Sequence, residues 1–138
     1  MTVLCVDTSA WHHSGHPAVA DRWRGELASD RLGLCDQVRL EILCSARSAA
    51  DYDGLAEELA ALRPIPTTGS AFARALQVQQ RLAHAGGLHH RSVKIADLII
   101  AAAAEEAKAI VWHYDEDFDR IARITGQPIE WVAPRGSL

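Results

Sequence analysis

Five acidic residues occur where an ionised carboxylate is costly without a partner. Asp7 directly follows one apolar run of the chain, and Asp115 and Asp117 follow a second one. Glu41 and Asp97 lie within apolar helical stretches, where a charge needs an ion pair or a bound cation. Mg²⁺ and Mn²⁺ prefer oxygen ligands and often bind several carboxylates together with water and phosphate. The acids therefore predict a site for a divalent cation.

Such a site suits the hydrolysis of a phosphodiester. Crowded carboxylates raise each other's pKa values, which favours the binding of a cation between them. A bound cation activates water, orients the phosphate and stabilises charge on the leaving oxygen. The sequence contains no P-loop, no G-x-G-x-x-G motif and no G-x-S-x-G motif. Metal-assisted hydrolysis needs none of them, nor a serine or cysteine nucleophile.

Each acid also has a structural interpretation. Glu41 has two neighbours, Arg39 and Arg47, with which it is able to pair. Asp97 falls in the first turn of a helix, where the helix dipole stabilises a negative charge. Asp117 is a plausible N-cap for the helix that follows it. The metal site is favoured because all these acids are expected near one edge of one sheet.

The apolar runs that precede the acids predict strands buried on both faces of a parallel sheet. Strands are expected at residues 2–6, 109–113 and 129–132, and Ile65 belongs to a short edge strand or to a loop. Helices are expected at residues 17–28, 36–48, 52–62, 70–85, 94–108 and 117–125. This alternation predicts a three-layer α/β/α sandwich with a mainly parallel central sheet. In such sheets ligands bind beyond the carboxyl ends of the strands, where Asp7 and Asp115 would lie.

Length and composition predict one domain over residues 1–138, since 49% of the residues are hydrophobic. The chain begins directly with an expected strand, and its longest apolar stretch is too short to cross a bilayer, which predicts a cytoplasmic protein. Cys5, Cys35 and Cys44 show no metal-binding spacing and are expected to be free thiols. The formal net charge of -4 argues against a partner recognised through a global positive field.

A nucleic-acid substrate would therefore need a local basic rim or a bound metal to offset the acids. Arg91, which precedes the helix that carries Asp97, and Lys94, at the start of that helix, are the expected contacts to RNA phosphates. Trp11 is the expected base-stacking or partner contact. The nearby histidines His12 and His13 lack the spacing of a zinc site, so a solvated or substrate-facing loop is the expectation there.

Four segments carry a resemblance to a known family. They are Val-Asp-Thr-Ser-Ala at 6–10, Arg-Leu-Glu at 39–41, Ala-Asp-Leu-Ile-Ile-Ala-Ala at 96–102 and His-Tyr-Asp-Glu-Asp-Phe-Asp at 113–119. In this order and spacing they resemble the PIN-domain ribonucleases, in particular the VapC-type toxins of bacterial toxin–antitoxin pairs. The resemblance covers nearly the whole chain and implies a PIN-like domain.

The resemblance also implies roles for individual residues. The catalytic acids, which bind Mg²⁺ or Mn²⁺, would be Asp7, Glu41, Asp97 and Asp115. Asp117 would be a further metal ligand. Thr8 and Ser9 would hold a water molecule or a carboxylate beside the metal by hydrogen bonds.

Three further properties are implied by the resemblance alone. The protein would be a homodimer, would bind a cognate antitoxin protein in the active-site groove, and would cut structured RNA of the tRNA or rRNA class. The alternative is a catalytically silent RNA- or protein-binding module that uses the same acidic cleft. A pure binding module would show affinity without turnover. A metal-dependent phosphatase is disfavoured because Ser9 stands where that chemistry uses a second aspartate, two residues after Asp7.

Overall fold

The computed structural model describes residues 1–138. The strands are β1 (Leu4–Val6), β2 (Leu32–Cys35), β3 (Arg63–Ile65), β4 (Ile110–His113) and β5 (Ile129–Trp131). The helices are α1 (Thr8–His12), α2 (Pro17–Ala28), α3 (Asp36–Cys44), α4 (Ala49–Leu59), α5 (Gly69–Ala85), α6 (His89–Ser92), α7 (Ile95–Glu106) and α8 (Asp117–Thr125). None of these helices combines the length and apolar character that crossing a membrane requires.

The five strands form one sheet in the order β3-β2-β1-β4-β5, and every neighbouring pair is parallel. The chain runs outwards from β1 to β3 on one side and then places β4 and β5 on the other side. This reversal beside β1 creates the point at which open α/β sheets bind ligands. Val6 lies opposite Trp112, so the segments that follow β1 and β4 are adjacent. The predicted three-layer α/β/α sandwich is confirmed, with a sheet that is entirely parallel.

The central strands are buried on both faces, as their apolar runs predict. Every residue of β1 is buried, and so is every residue of β4 except Ile110. Helix α7 contacts β2, β4, α5 and α8, and its alanines from 101 to 104 are buried. The most apolar helix of the sequence therefore lies in the interior, with Asp97 in its first turn.

Strand β2 is the element that the sequence analysis missed. It contains Gly33, which propensity scales count against a strand. In the structure a Cβ atom at this position would lie 2.7 Å from Val3 Cγ1 and 2.8 Å from Ile65 Cδ1. Glycine is therefore required because the neighbouring strands place side chains directly over its backbone.

Several boundaries and short helices also differ from the predictions. The helix expected to run to residue 48 ends at Cys44, and α4 begins at Ala49 because Ser48 caps it by accepting a 3.0 Å hydrogen bond from Asp51 N. The segment after Asp7, expected as a loop, contains the short helix α1, and the short helix α6 precedes Lys94. Ile65 belongs to the edge strand β3.

Candidate active site

Asp7 begins the site at the end of β1. Its main-chain N–H donates a 3.0 Å hydrogen bond to the carbonyl oxygen of Trp112, which joins the ends of β1 and β4. Its carboxylate caps α1 by accepting hydrogen bonds from the main-chain N–H and the hydroxyl of Ser9. The same hydroxyl accepts a 2.8 Å bond from Tyr114 N. One serine therefore connects the segments that follow the two central strands.

Three other carboxylates converge on one point. Asp97 lies in the first turn of α7, Asp115 lies between β4 and α8, and Asp117 is the first residue of α8. One carboxylate oxygen from each lies within 4.8 Å of the other two. Asp97 and Asp117 are each only 4% exposed, so water screens their mutual repulsion weakly. This acidic triad therefore needs positive charge to be stable.

Lys94 supplies positive charge to the acidic triad. Its ammonium nitrogen lies 2.7 Å from Asp115 Oδ2, 3.0 Å from Asp117 Oδ2 and 3.4 Å from Asp97 Oδ2. Its main-chain N–H also donates a 3.0 Å hydrogen bond to Asp117 Oδ2. Arg120 approaches the triad from the other side, with Nη1 3.4 Å from Asp117 Oδ1.

Glu41 joins the site through α1. The Thr8 hydroxyl donates a 2.6 Å hydrogen bond to Glu41 Oε2, and Gln37 Nε2 donates a 3.2 Å bond to Oε1. These bonds fix both oxygens of a half-buried carboxylate beside the start of α1. Thr8 and Ser9 thus each hold one carboxylate of the candidate site, Glu41 and Asp7 respectively.

Two structural interpretations of the acids are wrong. Neither Arg39 nor Arg47 pairs with Glu41, and Arg39 instead lies 3.7 Å from a different carboxylate. Asp117 does not cap α8, since it is the first helical residue and its own N–H donates a 2.9 Å hydrogen bond to Asp115 Oδ1. The first N–H of α8 therefore holds the Asp115 carboxylate, and Asp117 does not cap the helix.

The pKa values show how strongly the acids act on one another. Burial, together with the charges of Asp7 and Asp115 and a hydrogen bond with Asp117, raises the pKa of Asp97 to about 9. Burial also raises the pKa of Asp7, and the charge of Glu41 adds to that shift. Burial works in the same direction at Asp117, but hydrogen bonds from Lys94 and Asp97 outweigh it and lower the pKa. The charge of Asp7 thus acts on the buried carboxyl of Asp97, and the charge of Glu41 acts on Asp7.

Burial and the neighbouring carboxylates also have opposite effects on the pKa of Lys94. Burial disfavours its ammonium, yet the hydrogen bonds to Asp115 and Asp117 and the charge of Asp97 outweigh that cost and raise its pKa. Lys94 is therefore fully charged at neutral pH. The acidic triad therefore attracts cations, and the ammonium of Lys94 contacts all three of its members, whereas the guanidinium of Arg120 contacts Asp117 alone.

His113 is a buried residue that forms a hydrogen bond with the main chain of Asp115. It is fully buried and lies between the rings of Phe118 and Trp131, with centroid distances of 5.1 and 4.8 Å. Its Nδ1 accepts a 3.1 Å hydrogen bond from Asp115 N. Burial lowers the pKa of His113 to about 4, so the ring is neutral at pH 7 and remains an acceptor. The spacing His-x-Asp was the only sequence signal for this role.

The three residues expected to contact RNA differ in exposure and in the groups that they contact. Arg91 is exposed on α6. Trp11 is half-buried, and its ring packs edge-on against Trp23 at a centroid distance of 5.8 Å. Lys94 contacts the acidic triad, although its side chain is 60% exposed. Of the histidines in the expected loop, His13 packs against Tyr114 with its ring tilted by 48° and the centroids 4.7 Å apart.

The residues of the acidic triad fit a hard divalent cation. Their donor atoms are all carboxylate oxygens, which Mg²⁺ and Mn²⁺ prefer. Asp97 Oδ2 is buried and accepts no hydrogen bond, although the ammonium of Lys94 lies 3.4 Å away. A buried carboxyl oxygen without a hydrogen-bond donor is a suitable ligand atom for a metal ion.

Comparisons with known proteins identify the family. The PIN domain family matches residues 4–124. Ribonuclease VapC18 of Mycobacterium tuberculosis is 65% identical over 136 residues, which cover 99% of each chain. Among solved structures, DNA-bound VapBC from Salmonella typhimurium has a TM-score of 0.76 at 19% identity and covers 96% of this chain and 100% of its own. VapBC-5 of M. tuberculosis, a member of the VapBC family of toxin–antitoxin systems, has a TM-score of 0.62 at 22% identity and covers 95% and 98%. This chain therefore belongs to the PIN-domain family and, within it, to the VapC group.

Proposed function

We propose that this protein is a Mg²⁺- or Mn²⁺-dependent endoribonuclease that acts as the toxin of a toxin–antitoxin pair in the cytoplasm. The observation that carries this proposal is the convergence of Asp97, Asp115 and Asp117 at the ligand-binding edge of the sheet. The likeness to Ribonuclease VapC18, which extends over nearly the whole chain, supports RNA as the substrate.

The acids have distinct positions in the proposed reaction. Asp97, Asp115 and Asp117 would hold the cation, with Asp7 and Glu41 completing the acidic surface around it. When bound, a divalent cation supplies an activated water and stabilises the charge that develops on the phosphate. Water attacks the phosphorus and the leaving ribose oxygen departs, so no residue of the chain forms a covalent bond.

Hydrogen bonds from the protein hold the carboxylates in a fixed arrangement before the substrate arrives. Ser9 orients Asp7, and Thr8 orients Glu41. The neutral ring of His113 fixes the main chain at Asp115. Such supporting contacts raise the activity of metal sites because the ligands then need little reorganisation.

The proposed substrate is structured RNA of the tRNA or rRNA class. Arg91 is exposed on α6, three residues before Lys94, and is the proposed contact to a phosphate. Trp11 offers a half-buried ring beside Asp7, and Lys94 offers a partly exposed ammonium. These three residues would supply local attraction to RNA in a protein whose net charge is -4.

The proposed partners are a cognate antitoxin and a second copy of the chain. The structural relatives described as VapBC support the antitoxin. An exposed apolar surface on α5 and α7 supports self-association, because Phe72, Leu76 and Ile95 are 50%, 68% and 69% exposed. They line an apolar cavity of about 250 Å³. Apolar side chains clustered in this way are typical of protein contacts.

The deciding experiment is cleavage of total bacterial RNA by the purified protein with Mg²⁺, with Mn²⁺ and with EDTA. Asp7→Asn should abolish cleavage, because it removes a charge from the acidic surface while keeping the shape of the side chain. Asp53→Asn, an identical change at an exposed position on α4, is the matched control and should cut like the unaltered protein. Discrete fragments that require metal and Asp7 support the proposal, and their ends identify the substrate. RNA that is bound but stays intact under every condition supports the silent binding module instead.

A further inference from the structure

Lys94 and a divalent cation need the same oxygen atoms. The ammonium lies 2.7 to 3.4 Å from Oδ2 of each of Asp97, Asp115 and Asp117. These are the three residues whose carboxylate oxygens converge within 4.8 Å. A cation coordinated by this triad would lie where the ammonium lies, and two positive charges at that separation repel strongly in a buried site.

We propose that Lys94 is an exchangeable internal counter-ion, whose ammonium neutralises the acidic triad without metal and leaves it when a divalent cation binds. This inference rests on the proposed function, because it assumes that the triad is the metal site. It adds a regulatory property, which is that metal binding must displace a cation belonging to the chain itself. The metal affinity is therefore lower than three carboxylates alone would give.

The structure allows the ammonium to move without disturbing the helix. Lys94 precedes α7, and its main-chain N–H donates to Asp117 Oδ2 through a hydrogen bond that does not involve the ammonium. The side chain is 60% exposed and has four rotatable bonds, so it is able to turn into solvent. Asp97 is held less well than its neighbours, since its Oδ2 accepts no hydrogen bond from the ammonium. The existing cation thus satisfies the triad incompletely.

Displacement of the Lys94 ammonium would also change the charge at the surface that RNA approaches. In the metal-free protein the ammonium is engaged by three carboxylates and has little charge to offer a phosphate. Once it is displaced, it becomes a free cation at the edge of the site, where a phosphodiester must approach. Metal binding would thereby create one phosphate contact, which links the metal and the substrate through a single side chain.

The test measures the binding of Mn²⁺ by titration calorimetry to chelator-treated full-length protein. Lys94→Met removes the ammonium and keeps most of the aliphatic stem, and we expect the Kd for Mn²⁺ to fall about tenfold. In EDTA the same variant should melt at a lower temperature, because the triad loses its counter-ion. Lys108→Met is the matched control: it makes the identical change beyond the other end of α7, a helix of 12 residues that is about 18 Å long. It should leave the Kd unchanged.

The outcomes separate this inference from the proposed function. An unchanged or weaker Mn²⁺ affinity in Lys94→Met overturns the exchange and leaves the nuclease proposal intact. No Mn²⁺ binding by any variant, together with no cleavage of RNA, overturns both. Lys94→Gln provides a second neutral variant that is able to donate hydrogen bonds. If both neutral variants fold only with Mn²⁺, folding requires the ammonium only when metal is absent, and this outcome supports the exchange. If they fail to fold even with Mn²⁺, the exchange is contradicted.

Discussion

The Thr8 hydroxyl donates a 2.6 Å hydrogen bond to Glu41 Oε2 across 33 residues of sequence. This bond joins the start of α1, directly after Asp7, to the middle of α3. Two acids that are distant in the chain are thereby held on one surface by neighbouring residues of one short helix. The relationship leads to the first prediction.

Thr8→Val should lower the rate of RNA cleavage about tenfold while leaving the melting temperature nearly unchanged. Valine keeps the shape of threonine but removes the donor, so Glu41 loses orientation rather than packing. Thr8→Ser restores a hydroxyl and should recover most of the activity. Equal losses in both variants would mean that the methyl group, and not the hydrogen bond, is what matters.

Asp97→Asn should stabilise the metal-free protein, and more so at pH 8 than at pH 5. The folded-state pKa of Asp97 is raised to about 9, so the folded protein binds a proton that the unfolded chain releases near pH 4. The free energy of unfolding therefore falls as the pH rises between these values, by at most about 1.4 kcal/mol per pH unit from this group.

The asparagine variant has no such titration, so its stability in EDTA should depend less on pH. Thermal melting of both proteins in EDTA at pH 5 and pH 8 measures the difference. The same variant should lose cleavage activity with Mg²⁺, because an amide replaces a charged ligand. A gain in stability that is equal at both pH values would refute the assigned protonation of Asp97.

Replacement of His113 should affect activity through the loss of its Nδ1 acceptor and stability through the loss of its ring packing. His113→Phe keeps a ring between Phe118 and Trp131 but leaves Asp115 N without its acceptor, at a cost of about 1 to 3 kcal/mol. His113→Asn keeps an acceptor near the same place but creates a cavity. We expect the asparagine variant to be the less stable of the two and yet the more active. Cleavage rates and melting temperatures of the two variants show whether the roles separate in this way.

Arg91→Ala should weaken RNA binding without altering the fold. Arg91 is exposed, and a single phosphate contact contributes sequence-independent affinity that salt reduces. We expect KM to rise about fivefold and the salt dependence of log KM to decrease by about one unit of slope. Arg81→Ala is the control, since Arg81 is equally exposed on α5 and has no ion pair. If both variants lose affinity equally, the attraction is general rather than local.

Leu76→Glu should convert a dimer in solution into a monomer. Leu76 is 68% exposed in the apolar surface on α5 and α7, and a charge there opposes burial against a second copy. Tyr52→Glu, which places the same charge on exposed α4, should keep the mass of the unaltered protein. Light scattering coupled to size-exclusion chromatography measures both masses. A monomeric unaltered protein would remove the basis for this surface as a self-association site.

The sequence by itself determined the elements whose signal is local. A few neighbouring residues suffice to recognise the apolar runs of β1 and β4 and the helical periodicity of α2. Helices α2 and α8 begin and end where they were predicted. The acids also follow from local context, because a carboxylate after a buried strand or inside an apolar helix is costly wherever the chain places it. Order and spacing of these residues were enough to indicate the family.

Only the tertiary structure decided what the acids contact. Strand β2 forms because Gly33 admits Val3 and Ile65 from its neighbours, and no local pattern reveals that approach. Ser9 meets the N–H of Tyr114 across 105 residues. Lys94, which the sequence analysis assigned only to RNA, also reaches Asp115 and Asp117, which lie 21 and 23 residues away. Charge pairs of this kind depend on which strand ends become adjacent in the sheet, and that adjacency is a property of the folded chain rather than of any segment within it.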